Sequence, residues 1–212
     1  MLRTAAVQRI QRGLGFITNQ ADTIALALQE AQRDLEKGKT LPKFLLVEGA
    51  ALTLLATEST VDLPADFRRL SDEKLRYTLA GESTPNFIEW RRDYDAALEA
   101  NFTGEGGGPK VAVLRSTYID FINPADVTYN FVWSYYKKGA LLTTDIENEW
   151  LADDAGSKWL IGEAGYLMAQ DKRDKDGMAI FNTMRTQGRA ACFGDDLASD
   201  DAAGALYLGE DV

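Results

Sequence analysis

Between residues 127 and 135 every second side chain is large and apolar: Val127, Tyr129, Phe131, Trp133 and Tyr135. The residues between them, Thr128, Asn130, Val132 and Ser134, are mostly polar or small. Only an extended strand places alternate residues on one face, so this period predicts a strand with its aromatic side against a core. A basic turn, Lys137-Lys138-Gly139, closes the pattern. Thr144 and Glu147 then have the spacing of a capping box, which predicts a helix over residues 144–152. A β module and a helical one therefore meet within a few residues, and no chemical motif lies at the junction.

Helical periodicity recurs on either side of this junction. Residues 4–12 predict a short helix with Val7 and Ile10 on one side, ended by Gly13-Leu14-Gly15. Residues 21–37 form a strong amphipathic pattern with Ile24, Leu28, Ala31 and Leu35 in one stripe and Gly38 at the C-terminal cap. Past the junction, residues 157–172 and 176–193 predict two more helices, the second with an apolar face of Ile180, Phe181 and Met184. Residues 41–79 have a different texture. Short apolar runs at 44–47, 52–56, 60–63 and 67–70 are broken by Pro42, Gly49, Glu58-Ser59, Pro64 and Ser71-Asp72, as in short strands and turns. The stretch 47–56 also suits a buried helix. Pro85 in a first turn and the stripe Phe87, Trp90, Tyr94 and Leu98 predict a helix over about residues 85–101. Residues 110–115, 117–122 and 128–136 predict three strands of an antiparallel meander, with Asn123-Pro124-Ala125-Asp126 as a turn.

The expected fold class is therefore α+β: a helical bundle formed by N- and C-terminal helices with an inserted antiparallel β module. Residues 1–40 and 140–193 would be the helical body, and 41–139 the β-rich insertion containing one helix. Residues 194–212 read as a flexible acidic C-terminal arm, with paired acids at Asp195-Asp196, Asp200-Asp201 and Glu210-Asp211 around an apolar knot, Leu206-Tyr207-Leu208. Such a knot has nothing local to pack on, so it is either plain disorder or a segment that orders on a partner.

Composition narrows the chemistry. The 212 residues contain no histidine and one cysteine, Cys192, which removes the commonest general base, the commonest transition-metal ligand and any internal disulfide. No metal or cofactor site is expected. The loop Gly104-Glu105-Gly106-Gly107-Gly108-Pro109 fails the P-loop spacing, because Pro109-Lys110-Val111 stand where Gly-Lys-Ser/Thr should be. Residues 171–177 invite an EF-hand reading, but placing Gly177 at loop position six puts Lys172 and Thr183 where acidic ligands belong. Acidic pairs such as Asp93/Asp95 and Asp153/Asp154 arise freely among 33 acidic residues, so no catalytic residue is expected. The carboxylate-rich composition nonetheless leaves a carboxylate-based hydrolase, such as a cell-wall lytic enzyme, as one alternative; a cytoplasmic scaffold module is another. No apolar run approaches the ~20 residues of a membrane span, and the N-terminus lacks a signal layout, which predicts a soluble chain that is not secreted. The formal charge of −10 disfavours a nucleic-acid reader, whereas an acidic wall would let DNA slide past without sticking. The short basic clusters Arg68-Arg69, Arg91-Arg92, Lys137-Lys138 and Lys172-Arg173/Lys175 read as solvated faces.

Four stretches, in order, carry a family likeness: Leu41-Pro42-Lys43-Phe44-Leu45-Leu46, Leu63-Pro64-Ala65-Asp66-Phe67-Arg68, residues 109–124, and residues 135–151 ending in Asn148-Glu149-Trp150-Leu151. Together they resemble the head–tail adaptor proteins of tailed phages over about residues 21–181. The resemblance implies a non-enzymatic virion protein of the neck between head and tail, assembled in the host cytoplasm. It implies a dodecameric ring under the portal protein, joined below to a tail or nozzle protein, through which the genome passes without specific binding. By the same resemblance residues 194–212, with Leu197, Leu206, Tyr207 and Leu208 as anchors, would be an arm that docks on the portal.

Overall fold

The computed structural model describes residues 1–15, 20–71, 74–79, 84–91 and 108–193. The described chain forms two compact units, one from Met1–Leu45 with the residues from Lys138 onward, the other from Leu46–Lys137.

The second unit is an eight-stranded sheet: β1 (Leu46–Leu54), β2 (Thr60–Asp62), β3 (Phe67–Leu70), β4 (Lys74–Tyr77), β5 (Asn86–Arg91), β6 (Val111–Leu114), β7 (Tyr118–Phe121) and β8 (Tyr129–Lys137). Its order is β1-β8-β4-β5-β6-β7-β2, with β3 also paired to β8. The two ends of that order, β1 and β2, are consecutive in the chain. The residues between Leu54 and Thr60 span less than ~20 Å even when extended, so the sheet curls nearly into a barrel.

Strand β8 organises this unit. Tyr129, Phe131, Trp133 and Tyr135 are all buried on one face, as the alternation requires, while Val127 lies before the strand and is exposed. β1 runs antiparallel along one side of β8, from Leu46 opposite Tyr136 to Leu54 opposite Tyr129. β3 and β4 share the other side, at Leu70 opposite Tyr135 and Arg76 opposite Val132. Phe121 stacks on Phe131 at 5.3 Å, Trp133 on Tyr135 at 5.0 Å, and Tyr77 meets Tyr129 edge-on at 5.1 Å. A core built of aromatic pairs gains ~0.5–1.5 kcal/mol per pair beyond area burial. Gly49, at φ +66°, sits where the β1–β8 register slips between Val47 and Ala50, a bulge that needs a left-handed residue.

The first unit holds α1 (Arg3–Gly13), α2 (Ala21–Lys37), a 3₁₀ turn (Lys43–Leu45), α3 (Glu149–Ala152), α4 (Asp154–Asp171) and α5 (Lys175–Phe193). Helix α4 is its centre, buried on most sides through Trp159, Leu160, Ile161, Ala164, Met168 and Ala169. It packs against α1, α2, α3 and α5. Ile24, Leu28 and Ala31 of α2 are buried as their stripe predicts.

The expected helical bundle with an inserted antiparallel β module is corrected by this architecture. The protein is a mixed α/β molecule dominated by the eight-stranded sheet, with three of the five described helices after it in sequence. Three local differences explain the shift. Of the ambiguous run 47–56, residues 47–54 belong to the nine-residue strand β1, secured by pairing along β8. The expected helix at 85–101 begins as strand β5, which buries Ile88 and turns Phe87, Glu89 and Arg91 outward; residues 92–101 lie outside the described chain. β8 is no third strand of a meander. β6 and β7 pair with each other, and β6 runs parallel to β5, so the sheet is mixed rather than antiparallel. Parallel neighbours need a crossover of about a dozen residues or more, and the connection from Arg91 to Val111 is long enough.

Candidate docking surfaces

The loop between β8 and α3 is held by a buried polar network. Gln32 and Asn148 are each 1% exposed. The Glu36 carboxylate accepts from the Gly139 amide at 3.0 Å, the Trp150 indole at 2.9 Å and the Gln32 amide group at 2.9 Å. The Glu149 carboxylate accepts from the Ala140 amide at 2.9 Å, and Asn148 Nδ2 donates to the Ala140 carbonyl. A carboxylate oxygen that takes three N–H groups anchors the loop to α2. The capping box at Thr144 and Glu147 does not form. Both residues are exposed in the irregular segment before the helix, and α3 starts five residues after Thr144, capped by Asn148, whose side chain accepts from the Leu151 amide at 3.2 Å.

Beside this network the N-terminal segment carries exposed apolar side chains. The N-terminal ammonium donates to the Leu151 carbonyl at 2.7 Å, Arg3 donates to the Thr143 carbonyl at 2.5 Å, and the Thr4 amide donates to Asp145 at 2.8 Å. The start of α1 is thereby stitched to residues 143–151. Met1, Leu2, Leu141 and Ile146, all in or beside those bonded segments, are 37–52% exposed. The Thr4 hydroxyl also donates to Asp145, and these contacts hold its carboxyl below the usual carboxylate range.

The sheet unit offers a different surface. Register places Phe87, Arg76, Val132 and Ala51 in one row across β5, β4, β8 and β1, on the side opposite the aromatic core. Phe87 is 55% exposed, although a phenylalanine in a paired strand would bury well. Phe87, Arg76 and Val132 of this row, together with Lys74, Ser134 and Gly49, line an open groove of about 580 Å³. Lys74 and Arg76 are both exposed, and among the described residues neither forms an ion pair. Glu89, across from Lys74, is engaged by Arg91 at 3.0 Å, and Arg69 lies over the Tyr136 ring at 5.1 Å.

The carboxylates that sequence sets side by side serve helix ends. Asp153 caps α4 by accepting from the Gly156 amide at 2.7 Å, and Asp154 pairs with Lys158 at 2.7 Å. Asp174 of the EF-hand-like stretch accepts from the Gly177 amide at 3.0 Å at the start of α5. Among the described residues no three His, Cys, Asp or Glu side chains are grouped to hold a metal ion. The Cys192 thiol, half-buried near the end of α5, is pushed up to about 12 by burial, with Asp153 adding to the effect. No described helix is long and apolar enough to cross a membrane. Leu197, Leu206, Tyr207 and Leu208, with the pair Asp93/Asp95, lie outside the described residues. The outward row on the sheet is hidden in the sequence because Phe87 also fits a helical stripe; the alternation Phe87, Glu89, Arg91 against Ile88 and Trp90 is the signal that marks it. No family model matches this sequence, and no curated protein matches it.

Proposed function

We propose that this chain is a structural adaptor of a tailed phage, forming a ring that joins the portal to the tail and lets the genome pass. The observation that carries the reading is the presence of two unlike exposed surfaces, one on each unit. The helical unit presents the stitched apolar patch of Met1, Leu2, Leu141 and Ile146; the sheet unit presents the outward row of Phe87, Arg76 and Val132. Ring closure by a cyclic operator is heterologous, so each subunit needs two different patches that meet on neighbouring copies. The formal charge of −10 favours passage of DNA without retention. The resemblance of residues 21–181 to phage adaptors adds the partners: portal protein above, tail or nozzle protein below, and a dodecamer as the ring. It also places the protein in the neck of the virion and assigns residues 194–212 to portal contact.

Electron microscopy of the chain mixed with the portal protein of the same phage tests this. A second ring stacked on the portal ring is the expected image. Persistent monomers that leave the portal bare would overturn the reading, as would turnover of peptidoglycan that a single Asp or Glu substitution abolishes without unfolding the chain.

A further inference from the structure

We infer that the groove on the outward face of the sheet is the seat for the acidic C-terminal segment, residues 194–212, of a second copy of this chain. The groove pairs apolar surface with positive charge: Lys74 and Arg76 form no ion pair among the described residues, and Glu89 opposite Lys74 is held by Arg91. Arg76 stands between Phe87 and Val132 in the same cross-strand row, and Lys74 is two residues along the same strand face. In a chain of net charge −10, two cations without ion pairs among the described residues, flanking an exposed phenylalanine, are an unusual concentration of positive potential.

The C-terminal segment has the complementary chemistry. It contains Asp195, Asp196, Asp200, Asp201, Glu210 and Asp211 and no Lys or Arg. Leu206-Tyr207-Leu208 lies immediately ahead of Glu210-Asp211, so apolar and anionic groups follow one another at the spacing of a few residues that Phe87 and Arg76 present. Tyrosine and leucine would cover Phe87 and Val132 while the carboxylates meet Arg76 and Lys74. Arginine supports such contacts well because its fork binds a carboxylate through two parallel N–H groups. Nineteen residues, when extended, are long enough to reach from one copy to another. This inference stands without the adaptor reading; if both hold, portal and groove compete for one segment, and that segment competes with the neighbouring copy's helical patch for the outward row.

The test uses a fluorescent peptide of residues 194–212 titrated into the full chain, followed by anisotropy, with sedimentation equilibrium of the full chain alongside. Saturable binding is expected, weakened about tenfold or more by Arg76→Glu and by Phe87→Ser. Raising salt from about 50 to 300 mM should weaken it as well. Lys175→Glu, an exposed reversal on the helical unit, should leave it unchanged. A peptide carrying Glu210→Lys and Asp211→Lys should bind Arg76→Glu more tightly than it binds the native chain. Far-UV circular dichroism confirms that the surface variants are folded. Equal binding by the native chain, Arg76→Glu and Phe87→Ser overturns the site. A native chain that stays monomeric up to about 100 μM, where a contact of even modest affinity would register, overturns occupancy by a second copy.

Discussion

Asp145 shows how a single exposed carboxylate can set the geometry of a surface. It accepts from both the amide and the hydroxyl of Thr4, and the resulting low carboxyl value means that the charged form is the one bound. A group whose folded value lies below its ordinary 3.8 contributes stability that is fully present above that value and is lost as pH falls through the folded one. At neutral pH the N-terminus of α1 is therefore held to the loop, and in strong acid it is released. The Thr4 amide should be protected from hydrogen exchange at pH 6–7 in the native chain and less so in Asp145→Ala. A pH series of thermal melts checks the sign: the difference between native and Asp145→Ala should shrink below about pH 3.8. A difference that grows in acid would contradict this account. Glu36, by contrast, works inward. Its oxygen gathers three donors from α2, the loop and Trp150, so one side chain fixes where the patch residues emerge.

Among the elements, the α4–α5 hairpin depends on what its glycines lack. A Cβ on Gly188 would stand 2.3 Å from the Trp159 amide nitrogen, and one on Gly162 would stand 2.4 Å from that of Arg185. Both clashes are with backbone, so no side chain can swing away, and the helix axes must separate. Alanine gains ~1 kcal/mol in helix propensity over glycine, but overpacking at a rigid contact costs ~1–3 kcal/mol and is compounded by lost burial of Phe181 and Trp159. Gly188→Ala should therefore destabilise the protein by about 1–3 kcal/mol in urea unfolding, and a stabilised variant would show that the helices are not in contact there. This interface also marks a limit of sequence reading. The apolar face of α5 was expected at Ile180, Phe181 and Met184, yet Ile180 is 51% exposed and the buried line runs through Gly177, Phe181 and Gly188. Hydrophobic periodicity does not register glycine as a contact residue. Elements with a sustained single period were legible: α2 has the bounds its stripe predicts, and β8 buries the aromatic face its alternation requires. Short segments such as β5 were not, because five or six residues fit either period, and the partner that decides between them is distant in sequence. Of the candidate surfaces, neither the stitched patch nor the outward row could be read beforehand, since each is assembled by pairing between remote segments.

At the scale of the molecule, neither unit is complete before the chain has passed residue 137. Among the described residues β1 finds its strand partner only in β8, through pairs that run from Leu54–Tyr129 to Leu46–Tyr136. In the helical unit, α2 donates through Gln29 to the Leu142 carbonyl and through Gln32 to the Ala140 carbonyl, contacts across more than one hundred residues. Loop closure of that length costs entropy that local contacts must offset, and a strand order this non-local gives the N-terminal half little to bury by itself. A chain ending at residue 126 would retain α1, α2 and seven strands but lose the one strand to which β1, β3 and β4 all pair. It should show no cooperative thermal transition and should bind a hydrophobic dye, whereas the full chain melts cooperatively. A sharp melt from the shortened chain would mean that β8 is an addition to a sheet already stable without it. The aromatic alternation from Tyr129 to Tyr135 would then be ornament on the core. The stacking of Phe121 on Phe131 and of Phe67 on Trp133 at 5.7 Å argues that those side chains are what the remaining strands fold around.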